Sequence, residues 1–198
     1  MFYGRQLTAG DIYTVAGDGG SAFGGDGGPA ANAGLDAPFG TAVDAAGNLV
    51  ITDMGHHRVR VVAARTGTFY GQPMTAADIY TVAGNGIGGF AGDGGPATSA
   101  ELGAPEGIAI DDAGDLIFTD FGAARVRVVA ARTGTLYGIA MTAGDIYTIA
   151  GNGAFGFTGD GGPAASASLN EPAGIAVSST GEVVVADMSN NRIRVISP

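Results

Sequence analysis

The chain has 198 residues, 45% hydrophobic and 14% charged, with a formal net charge of −10 and no cysteine. The acidity excludes nucleic acid and anionic membrane surfaces as partners, because phosphate binding needs clustered Lys and Arg. The missing thiols exclude disulfides, zinc–thiolate sites and a cysteine nucleophile. No uninterrupted apolar run approaches the roughly 18 residues of a membrane span. Residues 1–6 lack the basic-then-apolar pattern of a signal peptide, so the chain reads as soluble.

Three words recur along the chain at a constant interval of 67 residues. The first is Asp11-Ile12-Tyr13-Thr14-Val15-Ala16-Gly17, repeated from Asp78 and, with Ile149 for Val, from Asp145. Its β-branched and aromatic residues closed by glycine predict a strand. A glycine-rich loop follows, ending Gly25-Asp26-Gly27-Gly28-Pro29-Ala30 and returning around Asp93 and Asp160. Proline followed by alanine predicts the first turn of a short helix, and Leu35, Leu102 and Leu169 then plug that turn onto the core.

Pro38, Pro105 and Pro172 return the backbone to extended. A strand follows at residues 41–44, 108–111 and 175–178, then a turn with glycine at 47, 114 or 181, then a strand at 49–53, 116–120 and 183–187. Glycine there fits the left-handed residue of a tight hairpin. A four-residue connection leads to Arg58-Val59-Arg60-Val61-Val62 and its counterparts from Arg125 and Arg192, whose alternation predicts one wet and one buried face. Three meandering strands plus the Asp-Ile-Tyr-Thr strand make a four-stranded unit, and such units in tandem are the signature of a β-propeller.

The words also resemble the NHL-repeat family of propellers. The pattern that carries the resemblance stands as Pro105-Glu106-Gly107-Ile108-Ala109-Ile110-Asp111 and as Asp187-Met188-Ser189-Asn190-Asn191-Arg192-Ile193-Arg194-Val195. The longer form, with Ile-Tyr-Thr-Val-Ala-Gly and Gly-Asp-Gly-Gly-Pro-Ala, is similar to the bacterial branch, whose members are often extracellular. Two departures stand out. His56-His57 and Ala123-Ala124 replace Asn-Asn in the first two copies, and Ser178 replaces the strand-ending Asp in the third. The resemblance implies an all-β propeller with three four-stranded blades per chain. It implies mostly binding platforms, with a minority of lyases and related enzymes, and fold alone selects no activity.

The chain reads as a single propeller-half domain over 1–198, with repeats at approximately 1–64, 65–131 and 132–198. Propellers close with about four to eight blades. Three leave open flanks, and six is the only multiple of three in that range. The expectation is therefore a homodimer forming one six-bladed ring, with a nine-bladed homotrimer second. Segment 11–17 of one chain would complete the last blade, residues 173–196, of the other, through a seam of Ile12, Tyr13, Val15, Ile193 and Val195. A chain cut this way reads equally as a fragment, a designed building block or a product of half-ring duplication.

Candidate chemistry is sparse. Asp26, Asp93 and Asp160 are weak ion-binding candidates, because calcium takes oxygen ligands from such loops, but their spacing matches no calcium repeat. Asp53, Asp120 and Asp187 each precede Arg58, Arg125 and Arg192 by a short turn, which predicts one structural ion pair per unit. His56 and His57, adjacent in a turn, fall short of the three ligands of a catalytic zinc. No catalytic set of nucleophile, base and oxyanion donor is found, and no cofactor, cofactor-binding residue or metal ligand is expected. The reading is a non-enzymatic scaffold or protein- or ligand-binding module whose partner is itself. The alternative is a lyase or hydrolase using the central channel.

Overall fold

The computed structural model of the protein describes residues 2–198. The first repeat contributes β1 (Gly28–Pro29), β2 (Pro38–Val43), β3 (Leu49–Asp53) and β4 (Arg58–Val62). A small hairpin, β5 (Gly67–Phe69) and β6 (Gln72–Met74), leads into β7 (Asp78–Ala83), β8 (Gly95–Pro96), β9 (Pro105–Ile110), β10 (Leu116–Asp120) and β11 (Arg125–Val129). A second hairpin, β12 (Gly134–Leu136) and β13 (Ile139–Met141), precedes β14 (Asp145–Ala150), β15 (Pro172–Val177), β16 (Val183–Asp187) and β17 (Arg192–Ile196). The fold is all-β. Among the described residues the helical elements are single 3-10 turns, three of them the Ala30, Ala97 and Ala164 turns that the Pro-Ala words predict.

The first sheet has the order β1-β7-β4-β3-β2 and the second β8-β14-β11-β10-β9, while the third is β15-β16-β17 alone. The fourth strand of each complete sheet is thus borrowed from the next repeat. The extra strand outside it was not expected: Gly28 and Pro29 pair with Ile79 and Asp78, and Gly95 and Pro96 with Ile146 and Asp145. Proline is tolerated there because it lies on the outermost strand. The innermost strands β2, β9 and β15 are tied from sheet to sheet. Thr52 Oγ1 donates to Glu106 O at 2.6 Å, and Thr119 Oγ1 to Ala173 O at 2.7 Å. Gly40 permits this approach, since a Cβ there would collide with Glu106 O.

The core lies between adjacent sheets. Val50, Val59 and Val61 pack with Ile108, Leu116 and Phe118, and Ile117, Val126 and Val128 pack with Leu169, Val183 and Val185. Each sheet therefore buries one apolar face against its neighbour. The opposite, arginine-bearing face is not wet as the alternation predicts: Arg60 and Arg127 are fully buried. The glycine-rich loops of the first two repeats fold over that face and exclude water from it, whereas Arg194 in the third is only half-buried.

Candidate functional site

Each repeat builds one cluster of the same design around the second arginine of its Arg-Val-Arg strand. Arg60 Nη1 lies 3.2 Å from Asp53 Oδ2 and donates to Gly34 O at 2.8 Å, while its Nη2 donates to Gly24 O at 2.8 Å and to Asp26 Oδ1 at 2.7 Å. Arg127 reaches Asp93 at 2.6 Å and Glu101 O at 2.7 Å, and Arg194 reaches Asp160 at 2.9 Å and Asp187 at 3.3 Å. A planar guanidinium with several fixed donors suits this fork between strand and loop. Its chemistry is that of a clamp: the loop is pinned to the sheet by a buried, hydrogen-bonded charge.

The predicted pairs need correction. Asp53 stands opposite Arg58, Asp120 opposite Arg125 and Asp187 opposite Arg192 in the strand register, yet the ion pairs run diagonally to Arg60, Arg127 and Arg194. The folded-over loop supplies carbonyls and a second carboxylate to the inner arginine. The outer arginine, at the rim, turns to other groups. Arg58 donates to His56 O at 3.1 Å and Asn85 O at 2.9 Å, and its guanidinium carbon lies 3.8 Å from the Phe23 ring centroid. Phe90 under Arg125 at 3.5 Å and Phe157 under Arg192 at 3.8 Å repeat the stack. Phe-x-Gly-Asp recurs with the repeat, so these aromatics were findable from the period itself.

Asp26, Asp93 and Asp160 stand where the loop turns back. One oxygen of Asp26 and of Asp93 meets the clamp arginine, and the other accepts a main-chain N–H, from Thr81 at 3.2 Å and from Thr148 at 3.1 Å. The Asp26 and Asp93 carboxylates are thus occupied by the fold, whereas Asp160 meets Arg194 alone among the described residues. His56 is likewise engaged, with Nδ1 2.9 Å from Asp53 Oδ2 and Nε2 2.9 Å from Ser21 O. Asn190 serves Asp187 in the same way at 2.8 Å. Ala123 cannot, so Asp120 Oδ2 is left without a hydrogen bond, and burial pushes the Asp120 carboxyl up despite Arg127.

The hairpin turns differ more between copies. Asn48 Nδ2 donates to Asp44 Oδ2 at 2.8 Å, and Asn48 Oδ1 accepts Ala64 N–H at 2.9 Å. In the second repeat Asp115 takes Asn48's place, accepting Ala131 N–H at 2.5 Å beside Asp111. Burial, and next to it the Asp111 charge, push its carboxyl up against the pull of the Ala131 N–H. Tyr3, Tyr70 and Tyr137, all left-handed at the tips of the linker hairpins, reach these turns. Tyr3 donates to Gly47 O at 2.7 Å and Tyr137 to Gly181 O at 3.0 Å, but Tyr70 turns back to Asp44 at 2.7 Å. A cleft of about 530 Å³ opens beside Tyr70, between Phe69 and the Gly114 turn. Every lone pair of Asp44 that faces it is already in use.

The seam residues lie at two unpaired edges. β17 has β16 on one side and no strand on the other, and residues 11–17 join no ladder among those described. Ile12 is 98% exposed, whereas its counterparts Ile79 and Ile146 are 0% exposed. Ile193 and Val195 are 69% and 61% exposed, whereas Val59, Val61, Val126 and Val128 are fully buried. Tyr13 and Val15 are half-buried.

Residues 169–196 match the family model described as the NHL repeat. The third repeat thus carries an NHL repeat. Solved structures with the same fold include a protein of unknown function from Bacteroides thetaiotaomicron, 18% identical with a TM-score of 0.57 over 75% of this chain and 32% of that one. Two others are described as auxiliary nutrient binding proteins. The one from Bacteroides ovatus is 21% identical with a TM-score of 0.54 over 80% of this chain and 36% of its own. The one from Bacteroides thetaiotaomicron is 19% identical, TM-score 0.53, over 79% and 36%. The chain spans about a third of the length of each. No curated protein matches the sequence. Among the described residues no helix is long and apolar enough to cross a membrane.

Proposed function

We propose that the protein is a non-enzymatic NHL propeller module, three blades to a chain, that closes with a second copy into a six-bladed ring and serves as a scaffold or binding platform. The observation that carries this reading is the contrast at Ile12. A residue buried twice in the chain is bare in its third copy, the β17 edge it would pair with is open, and Ile193 and Val195, whose counterparts Val59 and Val61 pack on the following sheet, are bare as well. Burying each of these side chains contributes about 1.5–3 kcal/mol, and two-fold symmetry makes the gain twice over. The non-enzymatic part rests on the polar groups: the carboxylates and guanidinia that recur in the repeats are spent on one another or on loop carbonyls.

Light scattering or native mass spectrometry at micromolar concentration tests the assembly. The expected mass is twice that of the 19.4 kDa chain. A stable folded monomer overturns the reading, and a threefold mass replaces the dimer with a nine-bladed trimer.

A further inference from the structure

The seam strand has a neighbour on both sides in each complete sheet. β7 lies between β4 and β1, and β14 between β11 and β8, so the strand is threaded between the Arg-Val-Arg strand and the glycine-rich loop. The loop side is held by three groups. Gly27 N–H donates to Ile79 O at 2.8 Å, Ala30 N–H donates to Ala77 O at 2.9 Å, and Asp26 Oδ2 accepts the Thr81 N–H. The second repeat has the same set, with Gly94 to Ile146 O at 2.8 Å, Ala97 to Gly144 O at 3.0 Å, and Asp93 to Thr148.

In the third repeat the counterparts are Gly161, Ala164 and Asp160. Among the described residues the N–H groups of Gly161 and Ala164 make no such bond, and Asp160 meets only Arg194. The space they face is a cavity of about 210 Å³ walled by Gly159–Gly162 on one side and by Ile193, Arg194 and Val195 on the other, with Leu169 as its floor. In the two complete sheets the equivalent space is taken by β7 and β14, with Ile79 buried beside Ala30 and Ala33 and Ile146 beside Ala97 and Ala100.

From this we infer that residues 159–164 and 192–196 form a strand-insertion slot, and that its occupant is segment 10–16 of a second copy, with Ile12 as the buried knob and Asp160 as the latch on the Thr14 N–H. The inference rests on the ring reading and deepens it. The seam is an enclosed socket with main-chain bonds on two edges rather than addition to the single edge of β17. The register carried over from the complete sheets sets Arg194 opposite Thr14, Val195 opposite Tyr13, and Pro163 opposite Asp11. The arginine clamp has a purpose here that it lacks elsewhere. By holding Asp160 from beneath, Arg194 keeps the far wall of the slot upright while the slot is empty.

Paired cysteines test the slot in a chain that has none of its own. The Pro96–Asp145 and Pro29–Asp78 pairs are directly opposed, a spacing within disulfide reach. Carrying both Asp11→Cys and Pro163→Cys, the oxidised protein is expected to run as a covalent dimer on a non-reducing denaturing gel, and each single variant as a monomer. Asp160→Ala is expected to weaken dimerisation at least tenfold in sedimentation while leaving the circular dichroism spectrum unchanged. A dimer in solution whose paired cysteines fail to cross-link between chains overturns the slot and leaves the ring standing. A monomeric unmodified chain overturns both. Unchanged dimer affinity in Asp160→Ala overturns the latch.

Discussion

Arg60 and Asp53 are both fully buried and stand 3.2 Å apart, with Asp26 of the overlying loop completing the pair at 2.7 Å. Removing one partner of such a pair strands the other charge in the interior. Arg60→Ala is therefore expected to destabilise the chain by about 3–5 kcal/mol, read as a lowered urea midpoint. Arg58→Ala, at the rim over Phe23, is expected to cost about 1 kcal/mol. Equal costs for the two would show that the diagonal pairing carries no special weight.

Asp120 is the one buried strand-end carboxylate without a side-chain partner at the 3-10 turn, since Ala123 stands where His56 and Asn190 bond their own aspartates. Ala123→Asn supplies the missing donor. The expected gain is about 1 kcal/mol, measured by urea or thermal denaturation. A loss of stability would mean that the second turn has no room for the amide.

Asp115 makes stability depend on pH. Its carboxyl is pushed up in the folded chain by burial, so the folded state binds the proton more tightly than the unfolded chain does. This contribution is fully present below the unfolded value of about 3.9 and is lost as pH rises through the raised folded value. Asp115→Asn copies the first repeat, where Asn48 donates to Asp44. The variant is expected to be more stable than the parent at neutral pH and to show a flatter midpoint from pH 4 to pH 7. A midpoint curve that keeps its slope would locate the dependence elsewhere.

Ala186 holds the place from which Thr52 and Thr119 bond the inner strand of the following sheet. In the proposed ring its neighbour is the partner's first sheet. Ala186→Thr is expected to tighten the dimer about thirtyfold, the equivalent of roughly 1 kcal/mol at each of the two seams, in a dilution series followed by native mass spectrometry. Thr119→Ala, inside the chain, is expected to lower stability by a similar amount.

Much of the fold was legible because local rules agree with one another in this chain. The strand at Asp78–Ala83 is written in β-branched residues, and the turn at Ala97–Ser99 follows its proline. The hairpin before Leu116 carries glycine at a left-handed position, Gly114. The clamp was not legible. Arg60 and Asp26 are 34 residues apart, and nothing local says that a glycine-rich loop lies down on the sheet instead of projecting into water. An Arg-Val-Arg strand reads as amphipathic until that cover is known.

By itself the sequence determined the period, the strands and the fact that one strand word, Asp11 to Gly17, has no sheet of its own. These follow from side-chain alternation and backbone-restricting residues, which act over a few positions. Only the tertiary structure decided which arginine meets which aspartate, since that choice depends on which face each loop covers and how far water is excluded. It also showed that the bare edge at Ile193 and Val195 faces a second wall at Asp160, separated in the chain by some thirty residues and joined only by folding.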